Sequence, residues 1–225
     1  MNAPAVFMTM VAIQDPRAEK VLSCALVPEH ELWNEVLCGL SSSTKLVLDT
    51  SVLIPVVHSG RDLRFHVTRD PLSGSTRSHY DWVRMLVKTY DVLVPPGVFR
   101  ELRSDRGLSR KKTLSIDMRS DGVRRELEHR VVSYEGNGRR PFIDERSQRY
   151  ERAQTLVHSH KAHSLSLVDL EVVAIAAYFA LDQQPACILT NDHGIHDTVT
   201  AISTYWNIPL SAPNEKVVWR RKNGM

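Results

Sequence analysis

Three short apolar runs, each cut off abruptly and each followed by helical patterning, constrain this chain more than any other feature. Lys45-Leu46-Val47-Leu48 stops at Asp49-Thr50-Ser51 and resumes as Val52-Leu53-Ile54. Val92-Leu93-Val94 stops at Pro95-Pro96-Gly97, ahead of Val98-Phe99-Arg100-Glu101-Leu102. Ala186-Cys187-Ile188-Leu189 stops at Thr190-Asn191-Asp192, ahead of a helix around Ile195–Ser203. An apolar run without alternation suits a strand buried on both faces, and such strands belong to parallel sheets. A further short strand at Ile208-Pro209-Leu210 closes the series. Strands alternating with helices specify an α/β fold built on a central parallel sheet.

The helices divide into two kinds. Leu167 to Leu181 is apolar nearly all round, carrying Asp169 and Glu171 as its only charges, and must lie in the core. Asp81 to Tyr90 reads as an ordinary helix before the second strand, and the polar stretch Ser59 to Ser78, with Asp70-Pro71 and Ser73-Gly74, reads as loop. Residues 1–44 form an N-terminal extension with a short strand at 5–13 and a helix near Glu29–Leu40; nothing in them assigns a function. The main domain runs over 45–215, and 216–225 is a basic C-terminal tail. Within the domain, 103–163 is a charged helical insertion with solvated faces. It holds fifteen Lys and Arg against nine Asp and Glu, an excess larger than that of the whole chain.

At 225 residues and 42% hydrophobic, the chain can fill a core. A net charge of +3 and a pI near 8.8 are compatible with a nucleic-acid partner without requiring one. Cys24, Cys38 and Cys187 have neither the number nor the spacing of a disulfide framework or a zinc site. The opening run Ala5 to Ile13 is too short to span a bilayer and lacks the cationic start of a secretory signal. These features read as a cytoplasmic protein with no membrane partner. A nucleotide-binding protein is disfavoured, because no Gly-rich phosphate loop follows any strand.

Ligands of open parallel sheets bind beyond the carboxyl ends of the strands. Asp49 stands at one strand end, Asp192 two residues past another, Glu101 in the helix after a third, and Asp169 in the first turn of the buried helix. Four carboxylates on one rim repel one another and shift towards protonation unless a cation neutralises them. Oxygen-only ligands suit Mg²⁺ or Mn²⁺, which bind phosphates and activate water. Singly, each acid has a local explanation. Asp49 can cap a helix, Asp169 follows Ser166 at capping-box spacing, Glu101 can be a solvated surface group, and Asp192 can be a turn residue. Their conjunction on one edge is what four unrelated caps and turns would not produce.

Taken in order, these segments resemble the motifs of PIN-domain nucleases. Leu46 to Ser51 looks like the opening strand and catalytic aspartate, and Val94 to Leu102 is similar to the second motif, a glutamate after a strand and proline. Leu165-Ser166-Leu167-Val168-Asp169 with its Ala-rich helix resembles the third motif, and Ile188-Leu189-Thr190-Asn191-Asp192 the fourth. The resemblance spans roughly 45–211 and is closer to the ribosomal-RNA-processing branch than to the toxin branch, although no zinc ribbon follows. It implies a Rossmann-like three-layer α/β/α domain, one or two Mg²⁺ or Mn²⁺ ions held by Asp49, Glu101, Asp169 and Asp192, and hydrolysis of RNA. It also implies that Thr50, Ser51 and Asn191 orient ligands or water. One departure stands out. Toxin-type members carry another acid two residues beyond the position of Asp192, and here that residue is Gly194, leaving Asp197 to substitute in part or a second metal weakly bound.

Arg110, Lys111, Lys112, Arg124 and Arg125, with Arg139-Arg140, are candidates for phosphate-backbone contact, against a solvated helical surface as the plainer reading. His158, His160 and His163 superficially suggest a metal cluster but fit a polar stretch ahead of the buried helix. The expected function is a metal-dependent endoribonuclease with RNA as substrate. A toxin-type ribonuclease of a toxin–antitoxin pair and a catalytically weak PIN-like RNA-binding or scaffold protein are the alternatives. A homodimer or an inhibitory protein partner is left open.

Overall fold

A computed structural model of the chain describes residues 36–53, 56–58, 65–67, 74–103, 123–136, 140–161 and 165–213. The elements in chain order are β1 (Lys45–Leu48), α1 (Thr50–Leu53), β2 (Val56–His58), β3 (Phe65–Val67), α2 (Gly74–Thr89), β4 (Asp91–Leu93) and α3 (Pro96–Arg103). They continue with α4 (Val123–Glu128), α5 (Gln148–His160), α6 (Leu167–Ala180), β5 (Ala186–Leu189), α7 (His193–Trp206) and β6 (Leu210–Ser211).

Four strands form an all-parallel sheet in the order β4-β1-β5-β6. β1 is central, with Lys45 opposite both Asp91 and Ala186 and with Leu48 opposite Leu189. Leu46, Val47 and Leu48 are buried, as are all four residues of β5, which is why neither strand alternates. The chain leaves β1 for β4 on one side and returns across it to β5 on the other. Right-handed crossovers running in opposite directions put their helices on opposite faces. α2 packs against β4 and α4 on one face, and α6 packs against β1, β5 and β6 on the other, with α5 and α7 beside it. This is the three-layer α/β arrangement expected from the alternation of strands and helices.

α6 accounts for its own composition. Val172 through Ala177 are all buried, because the helix is covered by the sheet on one side and by α5 on the other. α5 in turn buries Tyr150, Ala153, Leu156 and Val157, and Ser147 caps its first turn by accepting from the Tyr150 amide.

The structure departs from the sequence reading in three places. The segment read as loop over 59–78 contains β3, which pairs antiparallel with β2, and the start of α2; three-residue strands are too short to register as periodicity. The segment 103–163 is not all solvated helix. Beyond β4, Val94 bridges Val131 and Ser133 bridges Phe142, both in parallel, so extended chain continues the sheet edge with Val131, Val132 and Ile143 buried. Third, the domain begins before residue 45. Leu37 is 1% exposed in the core, and its carbonyl accepts the Tyr90 hydroxyl. The expected elements at 5–13 and over most of Glu29–Leu40, and the tail 216–225, lie outside the described residues.

Candidate active site

The sheet order fixes where a ligand can sit. The switch of chain direction falls between β1 and β5, and their carboxyl ends open the crevice in which open α/β sheets bind ligands. Asp49 is the first residue past β1, and its amide still donates to the Leu189 carbonyl at 3.2 Å, so the Asp49 and Thr190 positions are neighbours across the gap.

The Asp49 side chain is 4% exposed. One oxygen accepts the Thr50 amide at 2.7 Å. The other accepts the Ser51 hydroxyl at 2.6 Å and the Thr190 hydroxyl at 2.9 Å. Burial pushes the Asp49 carboxyl above its ordinary value; the Ser51 and Thr190 hydroxyls pull it back, and the charge of Asp169 pushes it up again. Asp49 therefore both holds the turn into α1 and confronts a second carboxylate.

The other three acids are connected to Asp49 indirectly, Glu101 through Thr50, Asp192 through Thr190 and Asp169 through its charge alone. Glu101 on α3 accepts the Thr50 hydroxyl, which ties the helix after β4 to the end of β1. Asp169 closes a capping box: its carboxylate accepts the Ser166 amide at 2.9 Å, and its own amide donates to the Ser166 hydroxyl at 3.1 Å. Asp192 caps α7, accepting from the Gly194 amide at 2.6 Å and the Ile195 amide at 3.3 Å. The local roles of Asp49 and Asp169 as caps are thus realised, Asp192 proves to be a helix cap where the sequence suggested a turn residue, and the charge of Asp169 still acts on Asp49. Among the described residues, no lysine, arginine or histidine forms a salt bridge with any of these four carboxylates.

Ser51 and Asn191 serve as joints. Ser51 Oγ donates to Asp49 and accepts the Asn191 amide at 2.9 Å, while Asn191 Nδ2 reaches the Ser51 carbonyl at 3.4 Å. Asn191 Oδ1 is buried with no hydrogen-bond partner among the described residues. Two further residues matter that sequence reasoning did not assign. Thr190, fully buried, donates to Asp49 and accepts the Asp192 amide at 2.9 Å, so one hydroxyl joins the two acids. Glu171 accepts the Gly97 amide at 2.6 Å and the Tyr134 hydroxyl at 2.9 Å, pinning α6 to the start of α3. Its signal in the sequence was a charge inside an otherwise apolar helix.

Asp197 is exposed on α7, one turn past the cap. The glycine at position 194 has a steric basis. A Cβ at Gly194 would lie 2.8 Å from Leu165 Cδ2 and 3.1 Å from Asp192 Oδ1, so any side chain there displaces Leu165.

The basic candidates are less informative. Arg110, Lys111, Lys112 and Arg139 lie outside the described residues. Arg124 lies on α4 but its side chain is undescribed, and Arg125 is exposed on that helix, in the layer of α2 rather than that of α6. Arg140 is exposed and lies 3.7 Å from Glu128. His158 is exposed, and His160 Nδ1 sits 2.9 Å from the Leu156 carbonyl within its own helix.

A divalent ion fits the donor set. The side chains around Asp49 offer carboxylate, hydroxyl and amide oxygens, the hard donors that Mg²⁺ and Mn²⁺ favour. Among the described residues no three His, Cys, Asp or Glu side chains lie close enough to hold an ion jointly. Mg²⁺ needs no such cage, since it usually binds through one or two carboxylates and completes its shell with water and phosphate. The raised carboxyl of Asp49, pushed up mainly by burial and to a lesser degree by the charge of Asp169, is the electrostatic counterpart of that demand. Compared with protein-family models, curated proteins and solved structures, the chain matches none.

Proposed function

We propose that this protein is a Mg²⁺- or Mn²⁺-dependent endoribonuclease of the PIN type that hydrolyses RNA phosphodiester bonds at the β1/β5 crevice. One observation carries the reading: a buried aspartate at the topological switch point whose carboxyl is raised by burial and by a second aspartate from another helix. Burying a carboxylate and setting another acid against it destabilises the fold, and a site that binds a cation recovers that cost. When bound, a divalent ion would lower the pKa of a coordinated water and offset charge on the phosphate oxygens.

The chain's own residues do the rest. Asp49 and Asp169 are the principal ligands. The hydroxyls of Ser51 and Thr190 fix one oxygen of Asp49, and the Thr50 amide fixes the other, so the ligand is oriented before substrate arrives. The Thr50 hydroxyl holds Glu101 towards the same edge. Asp192, exposed two residues beyond Thr190, whose hydroxyl accepts its amide, would orient an attacking water or an outer ligand.

The employment of Asp169 and Asp192 in caps favours a second reading, a PIN-like RNA-binding protein with weak activity. Incubating the purified protein with an RNA pool and Mn²⁺, with and without EDTA, separates the two. The nuclease reading expects cleavage that EDTA stops, leaving 5′-phosphate and 3′-hydroxyl ends, and that Asp49→Asn abolishes. Cleavage surviving EDTA, cyclic-phosphate products, or an inert wild-type protein each overturns it.

A further inference from the structure

A pocket of about 280 Å³ opens on the flank of the candidate site, between α3, α5 and α6. Its lining includes buried Tyr150 and Ala174, and the Tyr134 hydroxyl bonded to Glu171. Gln154 and Arg100 line it as exposed polar groups. Leu167, also in the lining, is 85% exposed although it opens the most apolar helix of the chain.

The position of the pocket is set by sequence neighbours. Arg100 directly precedes Glu101 on α3, and Leu167 and Val168 directly precede Asp169 on α6. Successive helical residues project about 100° apart, so the pocket occupies the flank adjoining both carboxylate-bearing helices. Its size falls just below the roughly 300–1,000 Å³ range of drug-sized ligand sites, which leaves room for one heterocycle. Its chemistry is that of a base site: aromatic and apolar surface for a ring face, an amide to meet a ring edge, and a guanidinium that can stack or meet phosphate. Of the two acids in its wall, Glu171 is already engaged, since both its oxygens accept hydrogen bonds, one from Gly97 and one from Tyr134, whereas Glu145 is exposed to solvent. A base can enter such a pocket only if it is unpaired and unstacked.

We propose that this pocket receives one unpaired nucleobase of a single-stranded RNA whose backbone crosses the Asp49 carboxylate cluster. The proposal rests on the nuclease reading for its choice of ligand, but binding and cleavage are separable by assay. Fluorescence anisotropy of a labelled single-stranded RNA, measured in EDTA, reads binding alone, and a series of the same RNA with one abasic position at a time locates the seated base. The full-length wild-type protein should lose affinity about ten-fold at one abasic position. Ala174→Met, which fills the pocket from α6, should lose about ten-fold on intact RNA and nothing further at that position. Gln154→Ala, an exposed change on α5 that leaves the fold intact, should lose about five-fold with the same pattern. No RNA binding, no sensitivity to any single abasic position, or an unchanged affinity in Gln154→Ala overturns the proposal. Cleavage in Mn²⁺ is scored separately: a protein that seats a base and never cuts refutes the nuclease reading and keeps the pocket, and one that cuts with no base-dependent binding refutes the pocket alone.

Discussion

Replacing Thr190 with valine keeps the shape of a fully buried side chain and removes one hydroxyl. That hydroxyl donates to Asp49 and accepts from the Asp192 amide, both at 2.9 Å. A hydrogen bond to an ionised group contributes about 1.5–3 kcal/mol, and the amide bond adds about 0.5–1.5 kcal/mol, less whatever water recovers at exposed Asp192. Thr190→Val should therefore cost about 3 kcal/mol at neutral pH without metal, or about 6–12 °C in Tm for a chain of this size. The sign of the pH dependence follows from Asp49. Its folded pKa lies above the unfolded value, so the native state holds the extra proton, and its ionisation removes stability as pH rises through the folded value. The Thr190 hydroxyl lowers that pKa, so losing it raises the folded value further and enlarges the deficit on the alkaline side. Below the ordinary aspartate value, where the carboxyl is protonated in both states, the bond is neutral and the deficit should shrink to about 1 kcal/mol. Thermal unfolding in EDTA, followed by circular dichroism across acidic to neutral pH, measures this. Thr190→Ser is the control: it keeps the hydroxyl, loses one buried methyl, and should cost about 1 kcal/mol at every pH. A deficit in Thr190→Val that is the same at all pH values would mean that Asp49 is not ionised in the native site, and the electrostatic reasoning would fail.

Three further outcomes are expected. Asp49→Asn should be inactive and, in EDTA, gain stability over wild type as pH rises above the ordinary aspartate value, with the two converging below it; a variant that is less stable at neutral pH would show that the carboxylate is chiefly a cap. Asp192→Asn should lose cleavage and Mn²⁺ affinity while α7 stays capped, because asparagine caps as well as aspartate; Asp197→Asn should cost only about ten-fold in rate, or about 1.4 kcal/mol, and parallel kinetics and metal titrations distinguish them. Gly97→Ala would put a Cβ 2.5 Å from Oε2 of Glu171, whose carboxylate is held by the Gly97 amide at that oxygen and by the Tyr134 hydroxyl at the other, so denaturant unfolding should show a loss of about 1–3 kcal/mol and cleavage should fall as α3 moves Glu101; unchanged stability would mean that Glu171 yields freely.

The central strands were legible because burial on both faces leaves a run such as Ala186 to Leu189 with no polar interruption, and its bounds in the sequence and the structure coincide. α6 was legible for the same reason. The expectation of Asp49, Glu101, Asp169 and Asp192 on one edge came from the rule that loops after parallel strands share a rim, which needs no knowledge of side chains; in the structure Glu101 is linked to Asp49 through Thr50 and Asp192 through Thr190. What escaped was whatever depends on a partner remote in sequence. Thr190 looks like a strand terminator until β5 is paired with β1, and Glu171 is an unexplained charge on a core helix until the first turn of α3 is seen to donate to it. Val131, Val132 and Ile143 disappeared into a charged segment because a few apolar residues joining a sheet edge carry too little pattern to outweigh the charges around them.

The bond between Thr190 and Asp49 closes a gap of 141 residues along the chain. Whatever reaction runs at this edge, it cannot begin in a nascent chain that has made β1, α2 and β4 but not yet β5. The three earlier-made acids would be present, yet Asp49 would lack the hydroxyl that orients it and α6 would have no completed sheet to lie on. Closing so long a loop is repaid only when β5 docks beside β1, which makes ordering of the site one of the last events of folding. On the proposed reading as a ribonuclease, a site that is ordered only when β5 docks would leave the nascent chain harmless to RNA until residues 186–189 have been made.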